Sequence, residues 1–372
     1  MPLQIGIVGL PNAGKSTLFN ALTRANAAVA SYPFTTIEPH IGVAEVPDPR
    51  LDAIAGLIKP EKVIPTTIQF VDIAGLVKGA HQGEGLGNQF LAHIREVDAI
   101  AMVLRCFEDP DVAHVSAELD PIDDLSVLDL ELSLADLGTV ERRIERTRGA
   151  AKARPRDFEW ELATLEALRE HLAQGLPART FSGVAATDDA RERVQALLAE
   201  LFLLTNKPRL LVANVGEDTL PDGGSLGARV LEAAAREGGQ AILLCADCEA
   251  ALVEWLPEEA AAYRAELGLT APGLDRLVQA SYQLLNLITF FTVTGGQVVR
   301  AWTLQRGQTA WHAAGQVHTD MQRGFIRADV VGYADLMAAG SMAAAREAGR
   351  LRSEGRDYVV RDGDVIHIHF ST

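Results

Sequence analysis

Cysteine is scarce: only Cys106, Cys245 and Cys248 occur in 372 residues. They are too few and too unevenly placed for a disulfide framework, which suits a reducing compartment. Cys245 and Cys248 make a C-x-x-C pair, but no thioredoxin-type opening accompanies it and Cys106 alone adds no second ligand pair. The pair reads as small residues after a buried strand. Long apolar runs are also missing, since stretches such as Val97 to Leu104 and Leu284 to Val293 stop well short of a bilayer span. No basic flank and cleavage pattern precedes the strand-like Leu3-Gln4-Ile5-Gly6-Ile7-Val8, so a cytoplasmic protein without membrane attachment is expected. Positive charge is in deficit: 34 Lys and Arg stand against 50 Asp and Glu, a net charge of −16. That balance argues against a general nucleic-acid binder, and DNA is not an expected partner. With 48% hydrophobic and 23% charged residues the chain can bury a core, and its length allows two or three domains.

Short apolar strands alternate with helical patterns early on: Leu3 to Val8, Thr67 to Val71, then Ala99 to Leu104. Such alternation predicts a mainly parallel sheet with helices on its faces. From about Leu125 to Leu204 no strand is evident, only helical spacing such as Leu162, Leu165, Leu168 and Leu172, then Val194, Leu197, Leu198 and Leu201. Sheet-like sequence resumes at Arg209 to Ala213 and Ala241 to Cys245, so the helical segment is inserted within one α/β domain. After Leu285 comes a hairpin pattern, 289–293 and 298–302 around Gly295-Gly296. A helix over 333–348 and closing strands at 358–360 and 365–370 complete a small α+β domain.

Directly after the first strand stands Gly9-Leu10-Pro11-Asn12-Ala13-Gly14-Lys15-Ser16-Thr17, which fits the phosphate-loop pattern and runs into a helix. Its glycines let backbone N–H groups of Ala13, Gly14 and their neighbours wrap a phosphate at a helix N-terminus. Lys15 is placed to neutralise β/γ oxygens, and the Ser16 hydroxyl to bind Mg²⁺. A second element, Val71-Asp72-Ile73-Ala74-Gly75-Leu76, offers Asp72 to hold the metal through water and the Gly75 amide to sense a γ-phosphate. Between them, Tyr32 to Pro39 supplies a threonine for the metal shell, Thr36 with Thr35 as its alternative.

These segments, with Pro47-Asp48-Pro49-Arg50-Leu51, Gly83-Glu84-Gly85-Leu86-Gly87-Asn88 and Asn214-Val215-Gly216-Glu217, make the chain resemble the Obg-like ATPase (YchF) family of translation-factor-class P-loop NTPases. The resemblance covers essentially the whole chain. It implies a P-loop NTPase G domain (1–124 and 207–285), an inserted α-helical domain (125–206) and a carboxyl-terminal TGS domain of β-grasp type (286–372). It also implies ribosome or ribosomal RNA association, and a nucleotide-dependent switch acting in translation or stress response. His114, in the acidic loop after the third strand, is the catalytic candidate it offers, against an ordinary solvated histidine. Asn12 matches a loop position that binds a monovalent cation in related NTPases, so K⁺ joins Mg²⁺ as an implied cofactor.

Guanine-specific relatives use N-K-x-D, where the Asp carboxylate accepts from two guanine donors. Here Asn214-Val215-Gly216-Glu217 lacks the Lys and sets the carboxylate one methylene further out. Loss of such polar recognition can cost roughly 10⁴ in discrimination, so ATP is expected over GTP, with Asn214, Val215 and Glu217 near the base or Asn214 merely capping the turn. Leu76 occupies the place of the water-orienting Gln of many GTPases, which predicts slow turnover. A nucleotide-gated ribosome- or RNA-binding module with incidental hydrolysis, and a GTP-specific switch, are the competing readings. Charge is uneven as well: ten acidic residues and no Lys or Arg lie between Glu108 and Asp136, whereas 141–156 carries +5. That basic segment is either a helix tip for RNA phosphates or a solvated, internally paired face. The segment from Asn286 is nearly neutral, so RNA contact there would fall to groups such as Trp302, Trp311 and Arg323.

Overall fold

The computed structural model describes residues 3–25, 40–73, 86–109, 119–183 and 187–371, with backbone only at 86–89. In chain order the first strands are β1 Gln4–Val8, β2 His40–Glu45, β3 Lys62–Ile64, β4 Thr67–Asp72, β5 Ala99–Cys106, β6 Arg209–Val215 and β7 Gln240–Leu244. The later ones are β8 Leu287–Thr294, β9 Val298–Gln305, β10 Phe325–Gly332, β11 Arg352–Glu354 and β12 Asp364–Phe370. The chain divides into two compact units, Met1–Gly42 with Gln69–Leu274, and Val43–Ile68 with Asp275–Thr372.

The first unit is built on a sheet ordered β2-β4-β1-β5-β6-β7. β1 runs parallel to β4 and β5, β5 to β6, and β6 to β7. Every residue of β5 and β6 is buried, which is why both read as near-continuous apolar runs rather than alternating ones. Parallel pairing brings the carboxyl ends of β1, β4, β5, β6 and β7 to one edge, where open α/β sheets bind ligands.

Long helices, Pro121–Ala151, Pro155–Ala173 and Asp188–Leu201, fill the span between β5 and β6. The first starts at Pro121, not at the expected Leu125. Asp120 caps it by accepting the Ile122 N–H at 2.9 Å, and Pro121 at N1 has no N–H to leave orphaned. Leu125, Leu128 and Leu132 therefore belong to the sheet's core. Further along, Val140 and Ile144 pack with Leu165, Leu168, Leu197 and Leu198 in a separate core. The fully buried Asp136 clamps the returning chain: it accepts from the N–H groups of Leu204 and Thr205 at 2.8 Å each and from the Thr205 hydroxyl at 2.7 Å.

In the second unit the sheet order is β11-β10-β12-β8-β9-β3. The β8–β9 hairpin forms around Gly295-Gly296 as expected, and β12 pairs parallel with β8. Three expectations are corrected. The helix over 333–348 is two helices, Tyr333–Ala339 and Met342–Glu347, because Gly340 takes a left-handed φ of +77°. The 358–360 strand is only an isolated bridge, Val359 to Thr309; the edge is β11 on β10, a strand that β-type spacing did not signal. Finally, 43–68 joins the carboxyl-terminal unit instead of the nucleotide-binding one. Leu51 and Ile54 of the helix Pro49–Ile58 pack in one core with Phe291, Val299 and Val331, and β3 pairs parallel with β9. Arg50 adds a bridge, 2.8 Å from Asp48 and 2.9 Å from Asp362.

Candidate functional site

After β1, the loop 9–14 turns sharply into the helix Lys15–Ala25. Asn12 and Gly14 both have left-handed φ, +64° and +88°, and a Cβ on Gly14 would overlap the Asn214 amide, so the loop closes only with glycine there. The helix N-terminus and the loop N–H groups make an anion site. Lys15 is buried and donates to the Leu10 carbonyl at 2.7 Å. An ammonium has three donors, so two remain for phosphate oxygens. Burial pushes the Lys15 ammonium down to about 8, partly opposed by Asp72. Burial likewise raises Asp72, with Lys15 and His40 pulling the other way. The exposed Ser16 hydroxyl and the Asp72 carboxylate are oxygen donors of the kind Mg²⁺ takes, water and phosphate filling its remaining positions. Among the described residues no three His, Cys, Asp or Glu side chains form a metal cage.

Beyond the phosphate loop, the ends of β5, β6 and β7 enclose a cavity of about 390 Å³. Arg105 shapes one wall: its guanidinium donates to the carbonyls of Phe107 at 3.2 Å and Asp109 at 3.4 Å and lies over the Phe107 ring. Val215, Gly216 and Glu217 form another wall. A Cβ on Gly216 would meet the Asp218 carboxylate, which would have to swing aside. With Val215 and Gly216 in place, no long side chain exists at this point to cover a base.

Asn214, at the end of β6, is almost fully buried and spans the two places. Its Nδ2 donates to the Ala13 carbonyl at 3.0 Å, and its Oδ1 accepts the Ala246 N–H at 2.9 Å, in the first turn of the helix Ala246–Leu252. The amide therefore ties the phosphate loop to the cavity wall, and its recorded partners are backbone groups of the chain itself. Glu217 is engaged on both oxygens, by the Tyr263 hydroxyl on Oε1 and by Cys248 Sγ at 3.8 Å on Oε2. Cys245 and Cys248 are buried free thiols in the cavity wall, and Cys245 Sγ caps its helix by accepting the Cys248 N–H at 3.3 Å.

The structure thus gathers Asn12, Ala13, Gly14, Lys15, Ser16, Thr17, Asp72, Asn214, Val215 and Glu217 along one sheet edge. Thr36, Thr35, Gly75, Leu76 and His114 lie outside the described residues. Sequence reasoning missed Arg105, Tyr263 and the roles of Cys245 and Cys248. Tyr263 sits 46 positions from Glu217, beyond the reach of any local pattern; a C-x-x-C at a strand end was the available signal for the capping thiol. Of the basic segment, Arg143 and Arg148 pair with Glu161 and Glu166, each on the second long helix. Arg146, Lys152, Arg154 and Arg156 are exposed. Trp302 is half-buried on Phe290, donating to Thr292 at 2.9 Å, and so belongs to the core.

A family profile for a 50S ribosome-binding GTPase matches residues 4–133. A carboxyl-terminal YchF-GTPase profile, described as a protein of unknown function, matches residues 287–371. The chain is 50% identical over 373 residues to the ribosome-binding ATPase YchF of Bacillus subtilis (strain 168), covering 100% of both chains. It is 48% identical over 372 residues to the protein of the same name from Haemophilus influenzae, again with 100% of each covered. The solved YchF GTPase of Schizosaccharomyces pombe superposes with a TM-score of 0.84 at 34% identity, covering 99% of this chain and 97% of that one.

Proposed function

Because the chain belongs to the YchF family, we propose that it is a ribosome-binding ATPase that uses Mg·ATP in preference to Mg·GTP as a nucleotide-dependent switch in translation or stress response. The observation that carries the reading is the joint edge of the sheet. Lys15 and the loop amides are ready for phosphates, while the base-side wall has Val215 where the guanine-specific pattern has its lysine and engages both oxygens of the Glu217 carboxylate within the chain.

Catalysis on this reading is positioning and electrostatics. Lys15 and the backbone N–H groups of 13–17 hold the β and γ oxygens and stabilise charge as it develops during in-line attack by water. Ser16, Thr36 and, through water, Asp72 would hold Mg²⁺, which supplies further charge neutralisation. Asn12 would add a K⁺ site. Gly75 reports the γ-phosphate, and His114 orients or deprotonates the water in place of a side chain that Leu76 cannot provide. The three-part domain reading, ending in a TGS domain, belongs to the same proposal, with 43–68 grouped with the carboxyl-terminal unit. For the ribosome, the exposed Arg146, Lys152, Arg154 and Arg156 offer phosphate contacts at the tip of the helical region.

Isothermal titration of the nucleotide-stripped protein with Mg·ATP and Mg·GTP in parallel, at one K⁺ concentration, tests the reading. Tighter binding of ATP supports it. Tighter binding of GTP returns the chain to the guanine-specific switches.

A further inference from the structure

Building on the purine-pocket reading above, we propose that Tyr263 and Cys248 are positioning residues that withhold the Glu217 carboxylate from a purine edge, and that this hold sets the choice of adenine over guanine. A free carboxylate in this wall would favour guanine strongly. Guanine presents two donors there, N1–H and the N2 amino group, whereas adenine presents an acceptor at N1 that a carboxylate repels. A carboxylate whose two oxygens already accept from the chain is held in one orientation and has less of that bias to offer.

The geometry supplies the hold from two directions. Glu217 opens the short 3-10 turn Glu217–Thr219 directly after β6. Tyr263 reaches it from the helix Pro257–Glu266, its ring set against Trp255 at a centroid distance of 5.3 Å. Cys248 reaches the other oxygen from the helix Ala246–Leu252, at 3.8 Å. Glu217, Cys248, Trp255 and Tyr263 all line the same cavity. The carboxylate beside it pushes the Tyr263 phenol up to about 12, so the hydroxyl remains a donor at any working pH. Both bonds to Glu217 come from helices that follow β7 rather than from the phosphate loop, so their effect is expected chiefly on the base.

The test is titration of Mg·ATP and Mg·GTP into the full chain, its Tyr263→Phe and Cys248→Ala variants, the double variant, and Tyr263→Phe combined with Glu217→Ala. Tyr263→Phe is expected to raise GTP affinity about three- to tenfold while ATP affinity stays within about twofold, the scale of one released hydrogen-bond acceptor. The double variant is expected to go further. Adding Glu217→Ala to Tyr263→Phe is expected to abolish the gain, because the released carboxylate is the group that reads guanine. A GTP-to-ATP affinity ratio unchanged in both Tyr263→Phe and the double variant overturns the proposal, as does a parallel loss of both affinities, the mark of a merely structural role. Thermal unfolding of each variant separates misfolding from altered choice. Were the unmodified chain itself to bind GTP more tightly, the adenine reading of the pocket would fall first, and the proposal with it.

Discussion

On the proposed reading, the phosphate end and the base end of the site lie on one sheet edge but are built by different physics. At the phosphate end, nine consecutive residues from Gly9 to Thr17 do the work, and most of what they offer is backbone: N–H groups, a helix N-terminus and two left-handed positions at Asn12 and Gly14. The base end is assembled from side chains that meet only in the folded chain, with Phe107, Glu217, Cys248 and Tyr263 arriving from separate segments. The first kind of site suits the triphosphate that all nucleotides share. The second kind is where one purine can be told from another, and there this chain departs from the guanine pattern.

Removing the side chain of Lys15 breaks the phosphate end most severely. Lys15→Ala is expected to weaken ATP and GTP alike by roughly 100-fold or more, the worth of two charge-assisted hydrogen bonds in a buried site. Parallel titrations check it. A loss confined to one nucleotide would show that the two ends are not separate. The melting temperature is expected to change little, because relief of a buried ammonium offsets the bond lost by the Leu10 carbonyl.

The contrast also explains what could be read from the sequence. A contiguous loop between a strand and a helix announces itself, because the spacing of Gly9, Gly14 and Lys15 is set by local turn geometry. So do β5 and β6, whose burial on both faces leaves unbroken apolar runs. Tyr263 does not, since its partner is brought to it by folding, and nothing in Pro257-Glu258-Glu259 marks the helix as part of a pocket wall. Likewise β10 escaped notice: Arg327 is exposed beside the buried run 328–331, so neither strict alternation nor a long apolar stretch appears. The placement of 43–68 was hidden because Leu51 and Ile54 are ordinary amphipathic spacing, and only Phe291 and Val299 reveal which core they serve.

Asn214 is the joint between the ends, and its removal is the next largest effect. Asn214→Ala leaves the Ala13 carbonyl and the Ala246 N–H without this partner, which is expected to cost about 2–4 kcal/mol of stability at the usual penalty for buried unpaired groups. Chemical denaturation measures it. Because the same amide holds the phosphate loop and the cavity wall, affinity for ATP and GTP should fall together, by about tenfold. A change in the ATP-to-GTP ratio instead would mean that Asn214 reads the base itself.

The smallest effect sharpens the comparison through pH. In the free protein Lys15 titrates at about 8, and a bound triphosphate, by adding negative charge beside the ammonium, raises that value. A group whose proton is held more tightly in the complex contributes fully below its free-state pKa and progressively less above it. ATP affinity is therefore expected to be level from pH 6.5 to 7.5 and then to fall about tenfold per pH unit above about 8, until the pKa of the complex is reached. GTP should follow the same curve, since both share the phosphate end. Titration in two buffers of different ionisation enthalpy at pH 8 should show uptake of about half a proton per nucleotide. Lys15→Arg supplies the control, because a guanidinium keeps its charge throughout this range and should flatten the profile at lower overall affinity. A wild-type profile as flat as the arginine variant would place the charge that holds the phosphates somewhere other than Lys15.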